Sequence, residues 1–455
     1  MSDPLQGKNV LVIGFARQGR SLAKWLPTVG AKVIVNDSRS ADVLNIPENE
    51  YPDVTFVLGG HKEEILDGVD LVCLSGGVSP DLSLVKAAAH RDIPLSNDAQ
   101  LFLERCSAPV IGITGSAGKT TTTTLVGEIF KKAQYRTWVG GNIGEVLLDI
   151  LPLVEPSDRV VMELSSFQLE LMTVSPEVGS ILNITPNHLD RHQTMDAYTE
   201  AKLNIINYQD EDGTSVLGWD NLVTQGLEFQ APGKVAWFST REMVTDGAFL
   251  AGNRLTLTGI ASPNRKPQVF AERADIQLRG EHNVANVLAA CAITGVSDIK
   301  PDAMVSTIRE FRGVPHRLEL VREFNQVLYV NDSIATSPER VFAALRSYNE
   351  PVVLLLGGRD KKLPWEEMIA YALRKSRHIF AFGEVGSLIE STVKAVSGDA
   401  HQLTRVDSLD EAVQRAVRVA QSGDVVLLSP GGTSYDAYPD FAVRGEHFRT
   451  LVNAL

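Results

Sequence analysis

Residues 110–120 read Val-Ile-Gly-Ile-Thr-Gly-Ser-Ala-Gly-Lys-Thr, an apolar β-type run that leads straight into a glycine-rich turn closed by Lys119-Thr120. A helical pattern follows. Strand, loop and helix in that order let backbone N–H groups converge on phosphate oxygens, with a helix N-terminus favouring the anion. Lys119 is placed to neutralise β- and γ-phosphates, and the Thr120 hydroxyl to ligate Mg²⁺. Gly115, Ser116, Gly118, Lys119, Thr120 and Thr121 are therefore the candidate ATP contacts. The spacing departs from the general GxxxxGK[ST]: Ile113 stands five before Gly118, and the flanking glycines are Gly112 and Gly115. The Asn-Lys-x-Asp that a guanine-reading GTPase needs is absent.

On both sides of this stretch, short apolar runs alternate with helical patterns, which predicts parallel, doubly wound sheets. Before it, strands are expected at Val10–Gly14, Lys32–Val35 and Leu71–Leu74, with a helix over Ser21–Leu26. After it come Val160–Leu164 and Ser180–Ile184, then a polar, turn-rich stretch near Leu222–Gln268 that reads as a smaller β subregion, and a helix start at Asn283–Cys291. From about Gly313, strands at Val327–Val330, Val352–Leu356, His378–Phe382 and Val425–Leu428 indicate a second doubly wound α/β domain. A chain of 455 residues is long enough for about three domains, here 1–108, 109–312 and 313–455.

The charge balance narrows the partners. A net charge of −13 disfavours nucleic acid and anionic membranes, while leaving room for small phosphorylated substrates held by local cationic loops. Cys73, Cys106 and Cys291 stand far apart with no CxxC pair, and each reads as a small buried apolar residue in a reducing compartment. The N-terminus, MSDPLQGKNV, has no basic region followed by an apolar stretch, and no apolar run reaches the ~20 residues of a spanning helix. A cytoplasmic protein without membrane insertion is expected.

The variant loop, TGSAGKTTT, resembles the signature of the Mur ligase family, which includes folylpolyglutamate synthase. Further matching motifs follow in order: Gly140-Gly-Asn142-Ile-Gly144, Glu163-Leu-Ser-Ser-Phe-Gln-Leu, and Asn183-Ile-Thr-Pro-Asn-His188-Leu-Asp190, where Asn187 replaces the usual acid. Later come His282-Asn283, His316-Arg317, Asn331-Asp332-Ser333, Gly357-Gly-Arg-Asp-Lys361 and Ser429-Pro430. The resemblance covers the chain from first domain to last strand. It implies a Rossmann-like N-terminal domain that binds a UDP-linked substrate, a central P-loop ATPase-type α/β domain, and a Rossmann-like C-terminal domain that binds an amino acid. The implied reaction is ATP-dependent amide-bond formation through an acyl phosphate, in peptidoglycan precursor synthesis. The implied substrates are UDP-N-acetylmuramoyl-L-alanine and D-glutamate, on a monomer.

The resemblance also implies roles for single residues. Gly14-Phe-Ala-Arg-Gln-Gly19 puts Ala16 where a dinucleotide fingerprint has its middle glycine, so NAD is disfavoured. Gly14 and Asp37, at neighbouring strand ends, still form a mononucleotide crevice. With Phe15, Ser38, Ser75, Asn142, Ser165 and His188 they are the implied UDP-substrate contacts, although Gly76 replaces a proline common in the S-P-G turn of relatives. Thr120, Glu163, His188 and Lys202 are the implied Mg²⁺ ligands, Lys202 as a carbamate; Lys119, His188 and Lys202 are the implied catalytic groups. His188 could also help deprotonate the incoming amine. Asn142, Asn283, Arg317 and Asp332 match ATP contacts, Arg317 being carried onto ATP by domain closure. Thr336, Lys361, Ser434 and Phe441 match the D-glutamate site, where Ile334 departs from a family variant with lysine.

Two features have plainer readings. His188 and His192 are spaced i, i+4, but no Glu follows His188 as a zinc HExxH requires, so His192 reads as a surface helix residue. A pure nucleotide switch would bind ATP without substrate-dependent turnover, and it has no need of Glu163, His188 and Lys202 together.

Overall fold

Apolar runs such as Val10-Leu-Val-Ile13 and Val352-Val-Leu-Leu-Leu356 are buried along their whole length, as parallel strands covered on both faces require. The computed structural model describes residues 2–44, 46, 49–144, 146–187, 189–397 and 401–455, and the expected site residue His188 lies outside them. Three sheets result.

The first sheet comprises β1 (Asn9–Ile13), β2 (Lys32–Asp37), β3 (Val54–Leu58), β4 (Leu71–Leu74) and β5 (Leu95–Ser96), all parallel in the order β3-β2-β1-β4-β5. The second comprises β6 (Val110–Thr114), β7 (Thr137–Gly141), β8 (Arg159–Glu163), β9 (Val178–Ile181), β10 (Thr214–Gly218), β11 (Lys234–Ser239), β12 (Gly247–Ala251), β13 (Arg254–Thr258) and β14 (Gln268–Glu272). Its order is β14-β13-β12-β11-β10-β9-β6-β8-β7, and only β13 runs against its neighbours. The turn-rich stretch near 222–268 is therefore not a separate subregion. Its first strand, β11, hydrogen-bonds to β10, and β12, β13 and β14 follow in turn to lengthen the central sheet.

The third sheet comprises β15 (Glu319–Phe324), β16 (Val327–Asn331), β17 (Val352–Gly357), β18 (Ser376–Phe382), β19 (Leu403–Arg405) and β20 (Val425–Gly431), in the order β15-β16-β20-β17-β18-β19. Only β15 is antiparallel.

The chain divides into two compact units, 1–277 with 281–310, and 278–280 with 311–455. In the first unit the cores of the first two sheets merge: Trp25 and Leu26 share one apolar cluster with Phe102, Leu147, Leu148 and Leu164. Cys73 and Cys291 are buried as expected, whereas Cys106 is only half-buried, its thiol turned toward the Ala108 carbonyl. Among the described residues no helix is long and apolar enough to cross a membrane.

Candidate active site

In open parallel sheets, ligands gather at the carboxyl ends of strands where the strand order reverses. In the central sheet that point is β6, flanked by β9 and β8. The loop after β6 turns into the helix Lys119–Lys132 through Gly118, whose φ of +86° is left-handed and whose absent Cβ would collide with Asn286 Oδ1. Asn286 in turn donates to Asn283 Oδ1 at 3.0 Å within the helix Glu281–Val296, whose start therefore packs close against the loop. Lys119 folds back to donate to the Gly115 carbonyl at 2.7 Å. Thr120 and Thr121 lie in the first helical turn, partly exposed.

Glu163 ends β8 and pairs in register with Ile113 of β6, one strand from the loop. It is 1% exposed. Its Oε1 accepts from Asn142 Nδ2 at 2.8 Å, and Asn142 also donates its backbone N–H to the Glu163 carbonyl at 2.9 Å. Its Oε2 is buried with no hydrogen-bond donor. A buried carboxylate oxygen left without a donor is costly, and a hard cation would satisfy it. Just beyond, Ser165 and Gln168 close a capping box that fixes the start of the next helix. Among the described residues no three His, Cys, Asp or Glu side chains cluster as metal ligands. One carboxylate and a hydroxyl beside a phosphate loop suit Mg²⁺, which takes much of its coordination from phosphates and water.

Lys202, on the helix Met195–Leu203, is buried rather than solvated. Its Nζ donates to Thr114 Oγ1 and to the Gly115 carbonyl, both at 3.2 Å, and lies 4.8 Å from the centre of the Tyr198 ring. Burial holds its pKa well below the ordinary lysine range; Lys119 adds to that, and Glu163 opposes it. Nearby, His192 is not a surface residue. It is buried, bonds Ser166 Oγ at 2.9 Å and stacks on Phe167 with ring centres 5.4 Å apart. It ends the short helix Leu189–His192, so the second histidine packs against the start of the helix Ser166–Leu169.

On the first sheet, β1 lies between β2 and β4, so Gly14, Asp37 and Ser75 follow neighbouring strand ends. Gly19 lets the next helix sit directly on the Gly14 carbonyl, where any Cβ would collide. Asp37 accepts from the Phe15 backbone N–H and from Arg39, whose guanidinium holds the carboxyl well below its usual range. The Phe15 ring is buried against Tyr51 and Phe56, so only its backbone faces the crevice, whereas Ser38 is exposed. Ser75 Oγ is buried without a partner beside a shallow cleft lined also by Asn97, Phe167, Gln168 and Arg191.

In the C-terminal unit, β16, β20 and β17 end side by side. Lys361 Nζ donates to Thr336 Oγ1 at 3.1 Å. A two-way backbone pair between Arg359 and Thr433 binds the Lys361 loop to the Ser434 loop, and Ser333 Oγ donates to the Phe441 carbonyl at 2.8 Å. The four expected amino-acid contacts thus sit on linked segments, three in loops and Phe441 at the start of the helix Phe441–Asn453, Ser434 itself being buried. Arg317 is exposed, between His316 and Leu318, both of which have positive φ.

Asp332 accepts from Ser429 Oγ at 2.8 Å and from the Leu318 N–H at 3.2 Å. Burial pushes its pKa up from 3.8 to about 7. The folded state then keeps a proton that the unfolded state releases between these values. Stability from this group is therefore fullest below the unfolded pKa and declines as pH rises to about 7. Asp332→Asn should remove that decline. In urea melts its stability relative to the parent should be about 2 kcal/mol more favourable at pH 8 than at pH 5.

Three residues take positioning roles that the sequence pattern does not give, Asn183 being marked there only as part of a motif. Asn183 exchanges hydrogen bonds with Ala117 in both directions, at 2.9 and 3.0 Å, and pins the phosphate loop. Arg17 reaches from the first sheet's helix to the Gly144 and Gly141 carbonyls. Arg444 is fully buried, and its guanidinium donates to Ser333 Oγ, the Ser333 carbonyl and the Gly432 carbonyl. Only the fold brings these partners together.

Three family models match the chain: Mur ligase MurD-like N-terminal domain over residues 8–97, Mur ligase middle domain over 113–294, and Mur ligase glutamate ligase domain over 316–432. Among curated proteins, the chain is 40% identical to a UDP-N-acetylmuramoylalanine–D-glutamate ligase of Clostridium botulinum (strain Loch Maree), covering 100% of this chain and 98% of that one. It is 37% identical to the protein of the same name from Alkaliphilus oremlandii, covering 98% of each. Among solved structures, it resembles the UDP-N-acetylmuramate-alanine ligase MurC of Thermotoga maritima, with TM-score 0.57, 19% identity, and coverage of 98% and 99%. It also resembles MurF ligase from Thermotoga maritima in complex with ADP, with TM-score 0.54, 18% identity, and coverage of 100% and 97%. At these identities the structural likenesses speak for the fold.

Proposed function

This chain belongs to the Mur ligase family, and on that premise we propose that it joins D-glutamate to UDP-N-acetylmuramoyl-L-alanine at the expense of ATP. The observation that carries the reading is its 40% identity, end to end, to a ligase named for that reaction. The geometry supports it with a glycine loop, a buried carboxylate and a buried amine around the end of β6.

A carboxylate resists an amine because oxide is a very poor leaving group. In the first step an alanyl carboxylate oxygen bonds to the γ-phosphorus as the bond to ADP breaks. In the second, the D-glutamate nitrogen attacks the acyl carbon, a proton leaves the nitrogen, and phosphate departs from the tetrahedral intermediate. Both steps depend on positioning and charge neutralisation.

The loop from Gly115 to Thr121 binds the phosphates, with Lys119 leaving the Gly115 carbonyl to pair with them. Glu163 Oε2 and the Thr120 hydroxyl would hold Mg²⁺, which offsets phosphate charge when bound. Asn142 fixes the other Glu163 oxygen. Lys202 serves as a carbamate: burial lowers its pKa and so favours the neutral amine, the form that adds to CO₂ with loss of a proton. Gly14, Asp37 and Ser75 receive the UDP part, and Thr336, Lys361, Ser434 and Phe441 receive D-glutamate.

The deciding assay is ATP-dependent phosphate release with UDP-N-acetylmuramoyl-L-alanine, comparing D-glutamate with L-glutamate, L-alanine, L-lysine and meso-diaminopimelate. Release only with D-glutamate is expected. Release with another amino acid would assign a sibling reaction, and substrate-independent ATP binding without release would make the protein a nucleotide switch.

A further inference from the structure

The turn Asp332–Thr336 is met by two cations. Lys361 donates to Thr336 Oγ1 at 3.1 Å, and Arg340 Nη1 donates to the Ile334 carbonyl at 3.0 Å. Both bonds go to uncharged groups, a hydroxyl and a backbone carbonyl. Asp332, the acid within the turn, compensates them only in part: its two oxygens are engaged by Ser429 and Leu318, and burial, outweighing the pull of Arg317 and Arg340, moves it toward the neutral acid. Lys361 is held below the ordinary lysine range by partial burial and then by Arg340, so the two charges feel each other.

Helix stability does not explain Arg340. It lies in the first turn of the helix Pro338–Arg346, where the helix dipole disfavours a cation and favours an acid such as the neighbouring Glu339. Like charges on one turn, one of them at a helix N-terminus, raise the energy of the free protein and lower it once an anion arrives. Ile334 contributes no charge of its own to the turn. A planar guanidinium that uses one nitrogen to hold the turn still has donors for a carboxylate.

We infer that Arg340 is the second cation of the amino-acid subsite and that, with Lys361, it takes the two carboxylates of a dicarboxylic amino acid. The inference rests on the D-glutamate reading above.

The test uses the full-length enzyme and steady-state phosphate release. Arg340→Ala should raise the KM for D-glutamate about 10- to 100-fold, with kcat and the KM values for ATP and the UDP substrate within about twofold of the parent. The double variant Ile334→Lys/Arg340→Ala, which returns a cation to the same turn, should recover at least half of that loss on a logarithmic scale. An unchanged KM for D-glutamate in Arg340→Ala, a fall in kcat alone, or a double variant no better than Arg340→Ala would overturn the inference. A parent enzyme that releases no phosphate with D-glutamate would instead overturn the functional reading beneath it.

Discussion

Glu163→Gln should lower ATP-dependent phosphate release by about 10³-fold while leaving the fold intact. The argument starts from the unpartnered Oε2. Glutamine keeps the carbonyl oxygen that Asn142 Nδ2 holds at 2.8 Å, so the link between the β7–β8 ends survives. It removes the negative charge and puts an NH₂ where the cation would sit. The substitution also relieves a buried, half-satisfied carboxylate, so the melting temperature without nucleotide should stay the same or rise. Weaker binding of ATP in the presence of Mg²⁺, with binding in EDTA unaltered, would place the loss at the metal. A variant that turns over within tenfold of the parent would remove Glu163 from the metal site.

Lys202→Ala should cost about 10²-fold or more in turnover, and millimolar formate or acetate should restore part of it. The lysine is buried, its Nζ is held by Thr114 and Gly115, and it shares its surroundings with Lys119. An unmodified ammonium there would repel the cation that Glu163 is placed to hold. A carbamate would reverse the sign of that charge, and a small carboxylate diffusing into the alanine cavity can imitate it. Activity of the parent should also fall in CO₂-depleted buffer and return with bicarbonate. Full activity in Lys202→Ala, or loss that no small carboxylate repairs, would leave the residue as a structural lysine.

Much of the architecture could be read from the residues. Strands buried on both faces give unbroken apolar runs, and Val10–Ile13, Leu71–Leu74 and Val352–Leu356 fall within the observed strands. The phosphate loop was legible because its function depends on local order: strand, glycines, Lys119-Thr120, helix. The stretch near Leu222–Gln268 is legible as β, but not as part of the central sheet, because β13 reverses direction and β14 is only partly buried, so polar residues alternate with apolar ones. His192 misled for another reason. A spacing of four residues says which helix face a side chain shares, but not whether Phe167 and Ser166 wait on that face. Lys202, Arg340 and Arg444 look like ordinary helix cations by type and spacing. The burial of Lys202 and Arg444 comes from loops far away in the chain, and Arg340 bonds a backbone carbonyl of the preceding turn.

The pinned phosphate loop also bears on how readily the enzyme can engage its nucleotide. Asn183 holds Ala117 from both sides, accepts the Ser116 N–H through its own carbonyl, and leaves Ser116 Oγ to bridge Thr185. A free glycine-rich segment of this length would surrender about 1–2 kcal/mol of backbone entropy per residue on closing around phosphates. Here folding has already met that cost for Ser116 and Ala117, so nucleotide capture should ask for little backbone ordering beyond the swing of the Lys119 side chain off the Gly115 carbonyl.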